Sequence, residues 1–210
     1  WTAAARALAS PSAFPASFLA EFLHNHGALQ IPGRPRWRSI AGGSRRYVEA
    51  LVAPFRHRIR VATPVRSIRR GLDRVDVATD AGTECFDEVV VAVHSDQALA
   101  MLADPSRTER EVLSAIPYQR NEVALHTDTS VLPRRRRAWA SWNFHLPAEG
   151  EAHGEEERTT VTYDMNILQR IDSPHRFCVT LNRPDAMDPA TVLRRLTYQH
   201  PVYTREGIEA

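Results

Sequence analysis

Hydrophobic residues recur at helical spacing in several parts of the chain. Four apolar residues share one face of a helix predicted over residues 15–25: Phe18, Leu19, Phe22 and Leu23. Ser44 is the natural N-cap of a second amphipathic helix. The apolar residues of that helix lie three and four positions apart: Val48, Leu51, Val52 and Phe55. Ser106 and Glu109 have the spacing of a capping box, which predicts another helix that ends near Pro117.

Short apolar and alternating stretches predict strands elsewhere. Two of them, residues 65–70 and 75–79, are joined around Gly71 as a hairpin. Residues 89–93 are apolar without alternation, which is typical of a strand buried on both faces of a layered α/β sheet. Further strands are predicted at residues 58–61, 86–93, 122–126, 138–144, 159–163 and 177–181. The later strands predict an antiparallel sheet, so the fold class is mixed α/β and α+β.

Two more helices complete the predicted pattern. One follows Asp96, and the last begins at Asp188 and continues through Leu193 and Leu196. The chain begins at Trp1 and stops at Ala210 without a closing element, so we interpret it as an internal piece of a longer protein. An incomplete sheet in such a piece would expose strand edges and favour association.

Composition excludes several classes of function. The net charge of +2 gives no strong field, so neither nucleic acid nor a membrane surface is expected as a partner. All 27 basic residues are arginine, so a lysine Schiff base is impossible. No apolar run reaches the roughly 18–20 residues of a membrane span. Cys85 and Cys178 are expected to be buried free thiols, which favours a reducing cytoplasm.

A glycine turn is the most distinctive local feature. Gly42, Gly43, Ser44 and Arg45 precede a predicted helix, where backbone N–H groups can approach an anion. A plain tight turn capped by Ser44 is the commoner explanation. The nine glycines of the chain form no G-x-G-x-x-G fingerprint, so the sequence lacks a pyrophosphate site for a dinucleotide.

Other candidate features have an ordinary structural explanation beside the functional one. The two-residue spacing of His24 and His26 does not favour a metal site, and none is predicted. The basic run at residues 134–137 could bind an anionic substrate, a lipid head group or phosphate, although a solvated turn is more common. Four aromatic residues could form a core or line an apolar pocket over a flat cofactor: Trp139, Trp142, Phe144 and Tyr163.

Several longer segments resemble flavin-containing amine-oxidase-like proteins. They are WRSIAGGSRRYVEALV at 37–52, TPVRSIRR at 63–70 and FDEVVVAVHSDQALAML at 86–102. A bacterial group of predicted NAD/FAD-binding proteins is similar through FLHNHGALQ at 22–30, NEVALHTDTSVLPRRRRAWASWNFHLP at 121–147 and VTYDMNILQ at 161–169. The likeness covers nearly the whole chain, and none of these strings is a catalytic motif.

The resemblance implies FAD as cofactor and two interleaved domains. Residues 41–95 would belong to a partial FAD-binding domain, and residues 1–40 and 96–210 to a substrate domain with an antiparallel sheet and flanking helices. Seven residues would then lie near the cofactor: Gly42, Gly43, Ser44, Arg45, Val65, Ala92 and Val93. Trp142 and His145 would face a small-molecule substrate. The family's glycine fingerprint and its C-terminal segment over the flavin ring have no counterpart in these 210 residues.

The resulting hypothesis is a piece of an FAD-dependent oxidoreductase that removes a hydride from a substrate carbon. A flavin-dependent desaturase or isomerase acting on an apolar, lipid-like substrate is an alternative within enzymes. A non-catalytic remnant or binding module that uses only the substrate-side sheet is an alternative outside them. The residues name no catalytic acid or base and no oligomeric state.

Overall fold

The computed structural model describes residues 16–27, 29–30, 38–145, 160–202 and 204–209. Its α-helices are α1 (Ala16–Asn25), α2 (Ser44–Val52), α3 (Ser95–Met101), α4 (Arg107–Ser114), α5 (Met165–Gln169) and α6 (Arg205–Glu209). Its strands are β1 (Val65–Arg70), β2 (Val75–Thr79), β3 (Gly82–Phe86), β4 (Tyr118–His126), β5 (Trp142–His145), β6 (Thr160–Asp164), β7 (Cys178–Leu181) and β8 (Val192–Pro201). Helices and antiparallel sheets are thus mixed, as predicted.

The chain forms two compact units. The first contains residues 1–47 and 119–202, and the second contains residues 48–118 and 203–210. The predicted helix cluster of Phe18 and Leu19 belongs to α1, whose bounds match the prediction. Residues 31–37 and 146–159 lie outside the described residues.

A five-stranded sheet dominates the first unit, in the order β5-β6-β7-β4-β8. Strands β5, β6, β7 and β4 pair antiparallel in succession. Residues that alternate along each strand point to opposite faces of a sheet. The register therefore sorts the side chains into two sets, and these sets differ sharply in polarity.

The second unit contains a three-stranded antiparallel sheet in the order β1-β2-β3. The predicted hairpin at Gly71 is confirmed, with the Gly71 amide bound to the Arg74 carbonyl at 2.7 Å. Ile68 is buried, and its carbonyl accepts a hydrogen bond from Ala103 N at 2.9 Å after α3. The capping box of α4 is confirmed, since Ser106 and Glu109 each bind the other's backbone N–H.

Three predicted strands are wrong in extent or in kind. Residues 58–61 are not a strand, because the 3-10 turn Ala53–Arg58 continues the chain after α2 with a proline in its first turn. The strand predicted at 86–93 does not form, because Phe86 is the last residue of β3. Residues 88–93 pair with no strand in the described part of the chain, and Val90 is 92% exposed. The strand predicted at 138–144 is β5 alone, after the 3-10 turn Arg136–Ala138.

The predicted final helix is also wrong. Asp188 caps only one 3-10 turn, Pro189–Thr191, and the chain then enters β8. Leu193 and Leu196 have helical spacing, but β-branched and aromatic residues around them favour a strand. The position of β8 beside β4 satisfies its backbone within a sheet, which outweighs the weak periodic signal.

Candidate functional site

One face of the five-stranded sheet is apolar. Its side chains come from four strands: Val123, Leu125, Trp142, Phe144, Val161, Tyr163, Val179 and Leu181. Trp142 and Tyr163 are cross-strand partners whose rings meet edge to face, with centroids 6.3 Å apart. Burial raises the pKa of Tyr163. Trp142 and Phe144 are nevertheless 38% and 36% exposed, so part of this aromatic surface is accessible.

The opposite face is polar and more deeply buried. It carries Ala124, His126, Asn143, His145, Thr162, Asp164, Cys178 and Thr180. The side chains of His126, Thr162 and Asp164 have no solvent exposure, and Thr180 is only 1% exposed. Buried polar groups are stable only when hydrogen-bonded, so their partners decide what this face can do.

A continuous row of hydrogen bonds crosses this polar face. His126 Nε2 lies 2.8 Å from Thr180 Oγ1, which lies 2.8 Å from Thr162 Oγ1. Thr162 Oγ1 in turn lies 2.8 Å from His145 Nε2. Beyond the row, Arg183 NH1 lies 3.1 Å from His145 Nδ1. We call His126, Thr180, Thr162 and His145 the histidine–threonine row.

Both imidazoles of the row are held neutral by their surroundings. Burial is the main cause that lowers the pKa of His145, and the positive charge of Arg183 lowers it further. Burial also lowers the pKa of His126, although the carboxylate and backbone of Asp128 oppose that shift. Two neutral histidines joined by two hydroxyls form a continuous chain of hydrogen bonds that places no charge inside the sheet.

Asp164 anchors the end of β6 on the same face. Its Oδ1 accepts hydrogen bonds from Ile167 N at 3.1 Å, which caps α5, and from Arg176 NH1 at 3.2 Å. The Arg176 guanidinium lies over the indole of Trp139, with its central carbon 5.3 Å from the ring centre. Trp139 is fixed in turn by its Nε1–H bond to the Pro133 carbonyl at 2.7 Å.

Two clefts open on the first unit. One, of about 250 Å³, is lined in part by Thr180, Arg183 and Arg195. The other, of about 530 Å³, is lined in part by Arg136, Trp139 and Arg176. Arg136 from the predicted basic run lies over the Trp139 indole at 5.1 Å. All four residues of that run are exposed, which fits a solvated turn.

The predicted substrate residues lie on different faces of β5. Trp142 belongs to the apolar face and His145 to the polar face. They therefore do not line one pocket on one side of the sheet. Trp142 is partly accessible on the apolar face, whereas His145 is the end of the histidine–threonine row.

The glycine turn lies in the first unit at the start of α2. Gly42 and Gly43 have φ of +81° and +83°, a conformation that favours glycine. Gly43 N donates to the Ile40 carbonyl at 2.9 Å, so the turn is closed by its own backbone. A Cβ on Gly43 would meet no atom within 4 Å, while one on Gly42 would meet the Arg46 side chain. The backbone conformation alone explains both glycines.

The other predicted cofactor residues lie in the second unit. Val65 begins β1, and Ala92 and Val93 end the unpaired segment before α3. Directly after them, His94 Nδ1 and Ser95 Oγ are buried without a hydrogen-bond partner among the described residues. His94 stacks on Tyr118, with ring centroids 4.4 Å apart, and the Tyr118 hydroxyl accepts a hydrogen bond from Ser95 N at 2.9 Å.

The chain belongs to the family of flavin containing amine oxidoreductases, whose family model matches residues 6–170. The crystal structure of a CLA-producing fatty acid isomerase from P. acnes has a TM-score of 0.51 and 19% identity, over 74% of this chain and 39% of that one. A structure described as "Putative protoporphyrinogen oxidase from Exiguobacterium sp. 255-15" has a TM-score of 0.47 and 16% identity, over 79% and 41%. No curated protein matches the chain significantly.

These similarities have a defined reach. At 19% identity, the likeness to the isomerase shows the fold alone. The chain spans about two fifths of the length of each of the two structures. The predicted family and fold class are therefore confirmed.

The residues after the unpaired segment fit a flavin. His94 Nδ1 and Ser95 Oγ have no hydrogen-bond partner among the described residues, with Asp96 Oδ1 4.0 Å from His94 Nδ1, so both can bond to a polar ligand beside Ala92 and Val93. In the part of the chain that the structure describes, no three metal-binding side chains lie together, and no helix is long and apolar enough to span a membrane.

Both cysteines are unpaired. Cys178 is buried as predicted, but Cys85 is exposed on β3, because that strand has no covering layer in the described ranges.

Sequence reasoning missed the histidine–threonine row. In β4, Glu122, Ala124 and His126 alternate with apolar neighbours, and this alternation predicts a strand but not a buried polar row. Thr162 and Thr180 each sit between apolar residues in the same way. Only the register of three strand pairs brings these positions onto one face.

Proposed function

We propose that the parent protein is an FAD-dependent oxidoreductase that removes a hydride from a carbon of a small-molecule substrate. The observation that carries this proposal is the family match over residues 6–170. When bound, FAD would supply the hydride acceptor. As part of the proposal, residues 41–95 belong to the flavin side, and residues 1–40 and 96–210 to the substrate side.

The chain's own residues would hold the cofactor at two places. In the second unit, Ala92 and Val93 would approach it through their backbone, and His94 and Ser95 would bind its polar atoms. The Gly42–Arg45 turn and Val65 are included because the family likeness implies them. The helix start at Ser44 favours an anionic neighbour, which supports this part of the assignment.

The apolar face of the five-stranded sheet would orient the substrate. The rings of Trp142 and Tyr163 pack edge to face with centroids 6.3 Å apart, and each side chain has few rotatable bonds. Together they form a rigid aromatic surface. Such a wall excludes water from the reacting carbon and holds the substrate at a fixed distance. An apolar or aromatic group next to the carbon that loses the hydride is the expected partner of this surface.

The location of the protein is also part of the proposal. Cys85 and Cys178 are unpaired, and Cys85 is exposed. Exposed free thiols persist in reducing compartments. This supports a cytoplasmic location.

The proposal is tested with the full-length protein that contains this chain. We expect a bound flavin by visible absorption, and bleaching of that absorption when an oxidisable substrate is added without oxygen. Amines and unsaturated fatty acids form the two arms of the substrate screen. Turnover of a fatty acid without net bleaching would instead support the isomerase alternative, and no flavin would support the binding module.

Variants distinguish flavin binding from substrate binding. Ser95→Ala together with His94→Leu should weaken flavin retention, while Ser114→Ala in the exposed helix α4 should not. Trp142→Ala should raise KM and leave the flavin bound, because it shortens only the substrate wall. Tyr198→Ala, which removes another exposed ring, is its matched control. Equal flavin content in all four proteins would contradict the assignment of His94 and Ser95.

A further inference from the structure

The histidine–threonine row has a definite number of hydrogens. Three hydrogen bonds link its four side chains, at 2.8 Å each. The hydroxyls of Thr162 and Thr180 supply one hydrogen each. The third must come from one of the two Nε2 atoms that face the row, and not from both. The row can therefore run in two directions, toward His126 or toward His145.

Arg183 selects one of these directions. A guanidinium can only donate, so His145 Nδ1 must accept from Arg183 NH1 at 3.1 Å. Burial and the Arg183 charge lower the pKa of His145, which keeps it neutral. A neutral His145 whose Nδ1 accepts carries its hydrogen on Nε2. His145 therefore donates to Thr162.

The remaining links follow from that first donation. Thr162 has accepted from His145, so its hydroxyl donates to Thr180. Thr180 donates to His126 Nε2, which must be unprotonated. The neutral His126 then carries its hydrogen on Nδ1. That atom is buried and meets no group of the described residues in regular hydrogen-bond geometry, although the backbone of Asp128 acts on this imidazole as an acceptor and raises its pKa.

We propose that the histidine–threonine row is a proton relay across the sheet, and that Arg183 is the positioning residue that fixes its direction. When Arg183 withdraws, His145 Nδ1 can take a proton from a hydronium ion, which leaves a neutral water molecule. The Nε2 hydrogen of His145 passes to Thr162, that of Thr162 to Thr180, and that of Thr180 to His126 Nε2. His126 then releases its Nδ1 proton to the Asp128 carboxylate, the negative group that acts on this imidazole, so the row keeps its charge and Asp128 becomes neutral.

Two features at the ends of the row support this role. Arg183 lines the 250 Å³ cleft together with Arg195, so its guanidinium is open to other partners. At the other end, Asp128 interacts with His126 electrostatically and opposes the effect of burial on its pKa. Desolvation acts to raise the pKa of Asp128, but the hydrogen bonds from Asp188 N and from Ser130, together with the charge of His126, lower it overall, so Asp128 is ionised.

The tautomers of the two histidines test the relay directly. The full-length protein is labelled with ¹⁵N-histidine, and two-bond ¹H–¹⁵N correlation spectra near neutral pH distinguish Nδ1–H from Nε2–H forms. His126→Gln and His145→Gln assign the signals. We expect His145 as the Nε2–H form and His126 as the Nδ1–H form. This readout needs no flavin, so its outcome is separate from that of the proposed function.

Variants of Arg183 distinguish a relay from simple structural support. In Arg183→Met both tautomers of His145 should appear, and the Nε2–H form of His126 should appear with them. Arg183→Lys, which still donates, should restore the wild-type pattern, and Arg195→Met from the same cleft should leave it unchanged. Thr180→Val should make His126 insensitive to Arg183→Met.

Two results would overturn the proposal. A wild-type His126 that carries its hydrogen on Nε2 would show that the direction is wrong. A His126 tautomer that does not respond to Arg183→Met while Thr180 is present would show that no relay connects them. If Thr180→Val fails to fold, the wild-type and Arg183 spectra still decide both points.

Discussion

Thr162 Oγ1 and Thr180 Oγ1 lie 2.8 Å apart as cross-strand partners in the middle of the buried polar face. Each hydroxyl also contacts one imidazole, so neither threonine can be replaced without leaving a buried partner unsatisfied. Removing one partner of a buried hydrogen bond costs more than the net worth of the bond. The pair is therefore a structural centre of the first unit as well as the middle of the histidine–threonine row.

Thr162→Val and Thr180→Val should each lower the free energy of unfolding by about 1–3 kcal/mol. Because the two side chains are in contact, the double variant should differ from the sum of the single ones by about 0.5–3 kcal/mol. Denaturant unfolding of all four proteins measures this coupling. Thr83→Val on the exposed strand β3 is the control. Strict additivity would mean that the two hydroxyls act independently.

Arg176→Met should destabilise the protein strongly. It leaves the fully buried Asp164 side chain without its cationic partner, and breaking a buried ion pair in this way costs about 3–5 kcal/mol. The loss of the Trp139 contact adds to the effect. Arg66→Met breaks the Arg66–Asp80 pair, whose side chains are 60% and 65% exposed, and should leave thermal unfolding nearly unchanged. Similar unfolding temperatures for the two variants would contradict the account.

Stability should fall as the pH falls from about 7 toward 5. Burial lowers the pKa of His126 and of His145 in the folded state, so the unfolded chain binds more protons over this range. Unfolding is therefore favoured once the pH drops through the unfolded value of 6.5. His126→Gln should reduce the slope of unfolding free energy against pH, whereas the exposed His57→Gln should keep it. A slope unchanged in His126→Gln would place the acid sensitivity elsewhere.

The two cysteines should differ in reactivity toward a thiol reagent. Cys178 is fully buried, and burial followed by the Asp164 charge raises its pKa to about 12, so it should react only after unfolding. Cys85 is exposed and should react in the native protein. Its thiol donates to Asp76 Oδ1 at 3.1 Å, and this hydrogen bond raises the pKa of Cys85.

Asp76→Asn should therefore make Cys85 react faster at neutral pH, because more of the thiolate is present. Asp73→Asn, in the adjacent turn, is the matched control and should have little effect. Cys85→Ser should abolish the reaction of one thiol in the native protein, and Cys178→Ser should leave the native reactivity unchanged. Loss of a native reactive thiol in Cys178→Ser would mean that Cys178 is accessible.

Local signals in the sequence were sufficient for the elements whose partners are close in the chain. The Ser106–Glu109 capping box and the hairpin around Gly71 depend on neighbours within a few residues, and both were predicted. The apolar run at 89–93 is different, because its pattern describes the surroundings of a strand rather than its partners. In the described residues it has no partner, so the same pattern gives an exposed segment.

The candidate site depended on long-range register. The sequence predicts Trp142 as an aromatic residue of a sheet face, and it lies on the accessible apolar face. The sequence alone does not show that His145 lies on the opposite face from Trp142. The three positions between them determine the face only when both residues belong to one strand. Arg183 carried no local signal, because its contact with His145 spans 38 positions.

The most direct test of the central claim is the visible absorption spectrum of the purified full-length protein, with and without added FAD. The account predicts the absorption of an oxidised flavin in near-equal proportion to protein, and FAD as the molecule released on denaturation. A protein that shows no flavin absorption in either sample would contradict the assignment to flavin chemistry and leave a binding module as the better description.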